Sequence, residues 1–411
     1  MKIAIIGAGV SGLVAAHLLD PLHDVTLYEA APRLGGHVNT VDFRENGRPI
    51  PVDTGFIVFN TRTYPSFVRL LSRLGVAWVE SDMSFGVSSP DGLAYGSRGL
   101  PGFFAQKRRA FSVRHWRMLA DIPRFYRAAR TFLAGSEGAA PTFGEFLAAG
   151  RYSAGFVDDH ALPLAASVWS LGQGGAASLP ARFVLRFFEH HGFLDLGRTV
   201  PWLTVAGGAR TYVRAILAEL RGQVHTGVPV AHITRPPKGG VLVDGDRFDH
   251  AIIACHADQA LRLLTDASPL EQELLGAFPY QENPAILHTD VRIMPRERAA
   301  WSAWNYRTGT GPGTGARVTY WMNRLQPLGC QTQLLVTLNA QAGEIDESQV
   351  IAREAYTHPI FTQAGIAAQA RHGELIAHRS TSYAGAYWRN GFHEDGVVSA
   401  LRACAPFGVT L

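Results

Sequence analysis

The chain has 411 residues, 47% of them hydrophobic, and a formal net charge of +4, enough length for two or three structural units with a substantial interior. Three cysteines, Cys255, Cys330 and Cys404, form no Cys-x-x-Cys pair, which predicts no disulfide framework and a reducing, cytoplasmic setting. No apolar run reaches about 18 residues, so no membrane-spanning helix is expected, and none of the sixteen histidines shows metal-ligand spacing, so no metal site is expected.

The apolar run Ile3–Ile6 predicts a buried strand, and Gly7, Gly9 and Gly12 follow it at the spacing a dinucleotide requires. Gly7 permits the tight turn, Gly9 lets backbone approach a pyrophosphate, and Gly12 lets the next helix pack close to the strand. A helix from Val10 would point its first amides, with Ser11 among them, at the diphosphate. Asp24–Tyr28 reads as a second strand. Glu29 follows it, seventeen residues after Gly12, where an acid accepts hydrogen bonds from a ribose. Lys2 before an apolar stretch imitates a signal peptide. The three glycines and the lack of a small-residue cleavage site argue against export.

Past Ala30, the run Arg33-Leu34-Gly35-Gly36-His37 supplies a second glycine pair, suited to the far side of the diphosphate and a ribityl chain. Val52-Asp53-Thr54-Gly55-Phe56 reads as a strand and turn. Residues 59–199 read as mainly helical, with an amphipathic helix from Tyr64 to Leu74 and a loop over 133–141. From Arg98 to Arg130 there are nine basic residues and one acid, Asp121, a local +8 that leaves the rest of the chain at −4. Phe103, Phe104, Phe111, Trp116 and Phe125 lie among them, and Pro123 predicts a division into helices 112–122 and 124–134. This pattern fits a surface that docks on anionic lipid, and equally a solvated helix face. The acidic remainder and the lack of a recognition motif exclude nucleic acid as partner.

Val200–Ala257 returns to the character of the first unit, with Gly207-Gly208, a helix from Thr211 to Leu220, and short strands. From Asn283 to Leu338 the hydrophobic period changes to two, predicting an antiparallel sheet. At the end, Gly391–Val397 leads into an apolar helix whose opening at Gly396 is expected to aim amides at an anionic flavin edge.

These motifs resemble those of the FAD-dependent amine oxidase, phytoene desaturase and protoporphyrinogen oxidase superfamily. Glu29 to Gly36 with Asp53-Thr54-Gly55 match its first FAD motif. Tyr383-Ala384-Gly385 and Gly391–Val397 match its C-terminal flavin motif, Val230 stands where a valine meets the adenine, and Asp249–Ala254 matches the returning strand. The resemblance implies an α/β fold: a Rossmann-like FAD-binding unit with an inserted α+β substrate unit containing an antiparallel sheet. The expected FAD-binding residues are 1–58, 200–256 and 378–411. The substrate unit takes 59–199 and 257–377, with its helical part at 59–199 and its sheet part at 283–338. It also implies noncovalent FAD, contacted by Gly7, Gly9, Val10, Ser11, Gly12, Glu29, Ala30, Arg33, Gly35, Gly36, His37, Thr54, Gly55, Phe56, Val230, Glu394, Asp395, Gly396 and Val397.

More narrowly, Leu287–Asp290, Ala303–Tyr306 and Tyr320–Asn323 are similar to a bacterial subgroup of small FAD proteins. These are encoded beside methyltransferases of the cyclopropane-fatty-acid-synthase type. The subgroup includes enzymes that desaturate methyl-branched fatty acyl chains on the way to furan fatty acids. Two positions depart from the superfamily: Tyr387 replaces an acid, and His37 an arginine. The only lysines are Lys2, Lys107 and Lys238, none placed to hold a water at flavin N5, which disfavours amine oxidation.

A flavin dehydrogenase needs the protein mainly to position a C–H bond and exclude water. Trp304, Tyr306, Tyr320, Trp321 and Trp388 are candidates to line an aromatic tunnel, Tyr387 and Trp388 sit inside the flavin motif, and His288 is a candidate base with Asp290 on the same strand face. The catalytic candidates are therefore His288, Tyr387, Trp388 and Tyr306. The resemblance implies desaturation of a phospholipid-borne fatty acyl chain on the inner face of the cytoplasmic membrane, with a fatty acid methyltransferase as partner and a homodimer left open. An amine oxidase, a redox-neutral double-bond isomerase and a non-catalytic lipid- or partner-binding flavoprotein are the alternatives.

Overall fold

Lys2–Ile6 forms the first strand (β1), Val10–Leu19 the first helix (α1) and Asp24–Glu29 the second strand (β2) in a computed structural model that describes every residue except 136–140, 196–199 and 310–314. β1 lies at the centre of a five-stranded parallel sheet. The order across it is Gln223–Thr226, β2, β1, His250–Ile253 and Thr381–Tyr383. Ile3, Ala4, Ile5 and Ile6 are all buried because both faces are covered, as a parallel sheet requires. α1 is buried over Ser11–Leu19 and packs beside the helix His393–Cys404. Gly12 makes the close approach possible: a Cβ there would fall 1.8 Å from the Gly7 carbonyl oxygen. On the other face lie a small antiparallel sheet, 233–248, and the helix Ala257–Leu263.

A second, seven-stranded sheet runs in the order Val350–Pro359, Tyr280–His288, Leu335–Leu338, Arg317–Trp321, Trp304–Arg307, Phe85–Ser88 and Ala94–Gly96. All its pairs are antiparallel except Trp304–Arg307 with Phe85–Ser88. The helices Val113–Ala134, Leu162–Trp169 and Ala181–His190 bury their apolar faces in the same core as this sheet.

The sheet is larger than the sequence pattern predicts. It takes two strands, 85–88 and 94–96, from the segment read as mainly helical, and one, 350–359, from beyond Leu338. The first two are too short to show a period, and they join the sheet through Trp304–Arg307, the partner of Phe85–Ser88, more than 200 residues away. Pro123 does not divide its helix, which is continuous from Val113 to Ala134. The proline forfeits one backbone bond at about 3 kcal/mol. Burial of Met118, Ile122, Phe125 and Ala129 along the same face offsets it, at about 1.5–3 kcal/mol for each of the three large side chains. The loop expected over 133–141 falls largely outside the described residues. Among the described residues no helix is long and apolar enough to cross a membrane.

Candidate active site

At the carboxyl ends of β1 and β2 the chain opens into a cavity of about 870 Å³, the place where doubly wound sheets bind ligands. Gly7, Gly9, Val10 and Ser11 form one wall. α1 begins at Val10, so the amides of its first turn have no intrahelical acceptor and favour an anion. Gly36 faces them with a φ of +57°, and a Cβ there would come within 3.0 Å of the Gly9 Cα. Backbone approaches backbone only because side chains are missing from both.

Glu29 closes β2. Its Oε2 accepts the Ala8 amide at 2.8 Å and its Oε1 the Ala31 amide at 2.9 Å. Each oxygen keeps a lone pair for a ribose hydroxyl. Ala30 and Val230 line the same end. Arg33 braces the next turn by donating Nη1 to the Gly36 carbonyl at 2.7 Å, and Gly35, Gly36, His37, Thr54, Gly55 and Phe56 continue the wall. His37 stacks on Tyr356 with ring centroids 4.9 Å apart, and its Nε2 has no hydrogen-bond partner among the described residues. Burial, reinforced by His358 and His256, pulls its pKa well below the usual histidine range. The neutral ring presents an unpaired nitrogen in the cavity wall.

The far end of this half is the turn Gly391–Phe392–His393. His393 stacks on Phe56 at 3.6 Å and bonds the Tyr212 hydroxyl through Nε2 at 2.7 Å, and burial pushes it down to about 3. The cavity thus offers a ribose acceptor, an anion-facing helix end, a glycine-lined passage and a second helix N-terminus. This donor set fits adenosine, diphosphate, ribityl chain and flavin ring in turn.

Four expected cofactor contacts near the C-terminus have other work. The helix begins at His393, three residues before Gly396, and the Gly396 amide donates to the Phe392 carbonyl at 3.1 Å. A Cβ at Gly396 would come within 2.5 Å of Val10 Cγ1, so this glycine serves helix packing, and Val397 is fully buried beside it. Glu394 turns away and accepts the Ser66 and Phe67 amides at 3.0 and 2.8 Å, capping the helix Pro65–Arg73. Asp395 accepts the Phe392 and Asn390 amides at 2.9 and 3.2 Å, which shapes the turn. Gly12 likewise acts by packing and does not line the cavity.

Beyond the flavin end the cavity continues as an apolar chamber. Met83, Trp169, Phe187, Phe193, Trp304, Tyr320 and Phe361 form its wall. His191 stacks on Phe187 at 3.8 Å, with Nδ1 3.0 Å from the Phe187 carbonyl, and burial pushes it down to about 4. It is a wall residue that sequence reasoning did not single out. Among the described residues no lysine lines the cavity, and Glu29 is the one carboxylate that does.

Of the catalytic candidates, Tyr387 lines the cavity, and its hydroxyl has no hydrogen-bond partner among the described residues. The other three do not line it. Trp388 is buried behind the wall, stacked on His372 at 4.2 Å. Tyr306 is fully buried in the sheet core, and Trp321 packs on Trp301. His288 is fully buried, with Nε2 2.8 Å from the Thr337 hydroxyl and Nδ1 accepting the Asp290 amide at 3.1 Å. Burial pushes it down to about 4. Asp290 has left the strand and pairs with Arg292 at 2.6 Å, so the two side chains do not share the strand face the alternation gave them. Sequence reasoning missed Trp169, Phe187, Phe193, Tyr356, His358 and Phe361. The one available signal was the alternation Glu354, Tyr356, His358 on the strand Val350–Pro359.

A parallel sheet opening on a ribose acid, two glycine-lined turns and a second helix N-terminus defines an FAD-binding α/β oxidoreductase. The chain belongs to the flavin-containing amine oxidoreductase family, whose sequence pattern matches residues 10–405. FAD is the cofactor, and the resemblance to the amine oxidase and desaturase superfamily is borne out. Over 76 residues, 18% of this chain, it is 47% identical to the flavin-dependent L-tryptophan oxidase of Lentzea aerocolonigenes, spanning 16% of that protein. It is 38% identical over 76 residues to the zeta-carotene desaturase of Zea mays, spanning 13% of it. Similar solved structures include a fatty acid isomerase from P. acnes that produces CLA (TM-score 0.68, 18% identity, 98% of both chains covered). Cyclohexylamine oxidase from Brevibacterium oxydans is another (TM-score 0.68, 17% identity, 98% of both chains covered). At these identities the structural likeness establishes the fold alone.

Proposed function

We propose that this FAD-dependent oxidoreductase dehydrogenates a fatty acyl chain that is methyl-branched and carried on a phospholipid. The observation that carries the reading is the chamber continuous with the cofactor cleft, walled by aromatic and aliphatic side chains with no lysine and no carboxylate besides Glu29 among the described residues. An ammonium substrate would lose its hydration there without gaining an ion-pair partner. An alkyl chain gains about 0.8 kcal/mol for each buried CH₂.

Bound FAD supplies the two-electron acceptor. The protein's own residues bind, orient and keep water out. Trp169, Phe187 and Phe361 grip the chain, while the Phe56–His393 stack seals the cavity beside the turn at Gly391. Burial holds the Tyr387 hydroxyl protonated and the His191 ring neutral, so both face the chain uncharged at neutral pH. The likeness of Leu287–Asp290 and Tyr320–Asn323 to proteins encoded beside cyclopropane-fatty-acid-synthase-type methyltransferases supports a methyl-branched chain, with such a methyltransferase as supplier.

The test is mass spectrometry of phospholipids with methyl-branched chains after incubation with the holoprotein and air. Loss of two hydrogens from the acyl chain is expected. Unchanged mass with a displaced double bond would replace dehydrogenation by isomerisation, and turnover of primary amines alone would overturn the reading.

A further inference from the structure

Residues 98–117 contain Arg98, Lys107, Arg108, Arg109, Arg114 and Arg117 and no acid. They fold into a short helix, Gly99–Phe103, a 3-10 turn, Lys107–Phe111, and the opening of the helix Val113–Ala134. These pieces are tied into one mound. Trp116 donates Nε1 to the Ala110 carbonyl at 2.8 Å, its ring lies 5.2 Å from Phe104, and the Ser112 hydroxyl accepts the His115 amide at 3.3 Å. Gly102, Gln106, His115 and Met118 form the buried underside.

The upper side is apolar and cationic at once. Leu100 is 71% exposed, Phe111 91%, Val113 65% and Trp116 52%, four of the nine large apolar side chains that stand out from the described surface. Single exposed hydrophobics are ordinary, but a cluster on one mound marks an interaction surface. Lys107, Arg108, Arg109 and Arg117 lie in the same stretch, and none has a carboxylate in ion-pair range among the described residues; Arg108 donates Nη2 to the Gly92 carbonyl at 3.2 Å and Arg109 Nε to Gln106 Oε1 at 3.1 Å, uncharged acceptors that leave both charges uncompensated. Arg98, Arg114, Arg124 and Arg130 differ: each is paired, with Asp82, Asp159, Asp121 and Asp195. The nearby Asp91 is engaged by the Ser89 hydroxyl.

We infer that this mound docks the protein on an anionic phospholipid bilayer. The cations without ion pairs meet headgroups, Phe111 inserts its apolar ring, and Trp116 lies at the interface, where aromatic side chains are favoured. The remainder of the chain is net negative, so an anionic surface attracts this pole and repels the rest. The inference stands on the surface and not on the identity of the substrate, because vesicle binding is read without turnover.

The experiment is co-sedimentation of the holoprotein with vesicles of phosphatidylglycerol and phosphatidylcholine, against phosphatidylcholine alone. Each cation near an anionic surface strengthens binding about fivefold. The variant with Lys107→Gln, Arg108→Gln, Arg109→Gln and Arg117→Gln is therefore expected to bind at least about tenfold more weakly. The pair Phe111→Ser and Trp116→Ser is expected to do the same, and 1 M salt, with a Debye length of about 3 Å, is expected to release the parent. Flavin content and melting temperature report that these variants are folded. A control with Arg69→Gln, Arg73→Gln, Arg214→Gln and Arg221→Gln removes the same charge elsewhere and is expected to bind as the parent does. A parent that ignores anionic vesicles would leave the mound to a protein partner and overturn the inference. So would a mound variant that binds normally, or a control that falls as far as the mound variants.

Discussion

Replacing Glu29 by alanine tests whether the dinucleotide site is built as described. The carboxylate is shared: Oε2 holds the Ala8 amide, Oε1 holds the Ala31 amide, and each keeps a lone pair for ribose. A hydrogen bond to a charged acceptor contributes about 1.5–3 kcal/mol. Glu29→Ala is therefore expected to raise the dissociation constant of FAD about ten- to hundredfold. Glu29→Gln keeps one carbonyl but must turn its NH₂ toward one of the two amides, so an intermediate loss is expected. The assay is titration of the apoprotein with FAD, read by quenching of flavin fluorescence. The half-buried Ala31 amide recovers a bond to water, while the buried Ala8 amide loses its acceptor at about 1–3 kcal/mol, so the apoprotein should melt several degrees lower. An alanine variant whose FAD affinity lies within about twofold of the parent would refute the ribose role.

Gly396→Ala puts a methyl group within 2.5 Å of Val10 Cγ1, and overpacking of this kind costs about 1–3 kcal/mol. The melting temperature should fall while the flavin reduction potential stays put; a shifted potential at normal stability would return Gly396 to the flavin edge. Glu271 is fully buried and accepts Arg235 Nη1 at 2.5 Å and Nη2 at 2.9 Å, while Asp266 keeps Arg235 Nε at 2.8 Å, so Glu271→Ala removes charged hydrogen bonds without stranding the cation and should destabilise by about 1.5–3 kcal/mol in denaturant unfolding, a loss below about 0.5 kcal/mol being contrary. Burial pushes His160, His191, His250, His288, His358 and His372 down to about 4 and His393 to about 3. Their stability is present above pH 6.5 and is lost as pH falls toward 4, since the unfolded chain then binds the extra protons. Asp53, raised to about 7, and Asp395, raised to about 6, act in the opposite sense over the same window but are fewer. The melting temperature should therefore drop between pH 7 and 5, and a rise would contradict this balance. Cys255 lines the cavity with its thiol pushed up to about 12, unsuited to attack as thiolate. Acid denaturation should release all flavin, and colour retained on the polypeptide would show a covalent link.

The dinucleotide half was legible because its signals are local. Strand, glycine turn, helix and acid lie within thirty residues of sequence, and each residue type answers to one atom of the ligand. The C-terminal half of the flavin site was half legible. The motif was found, but not that Glu394 caps another helix or that Gly396 seats Val10, since those partners lie more than 300 residues away. The chamber was not legible. Trp169, Phe187, Phe193 and Phe361 come from separate segments, and nothing in their spacing distinguishes a cavity wall from a core. His288 shows the converse. Its strand was read correctly, but the strand ends at His288 before Asp290, and the hydroxyl that satisfies it, on Thr337, belongs to the neighbouring strand. Pro123 was read by its local penalty, which burial of the surrounding face outweighs.

What reduces the flavin decides most directly between an acyl chain and an amine as substrate. The holoprotein, held without oxygen, is mixed with a methyl-branched phospholipid and separately with a series of primary amines, and the flavin absorbance is followed. An apolar chamber without a cation partner predicts bleaching by the lipid and none by the amines, with the acyl chain recovered two hydrogens poorer. Bleaching by an amine while the lipid leaves the oxidised spectrum unchanged would contradict it.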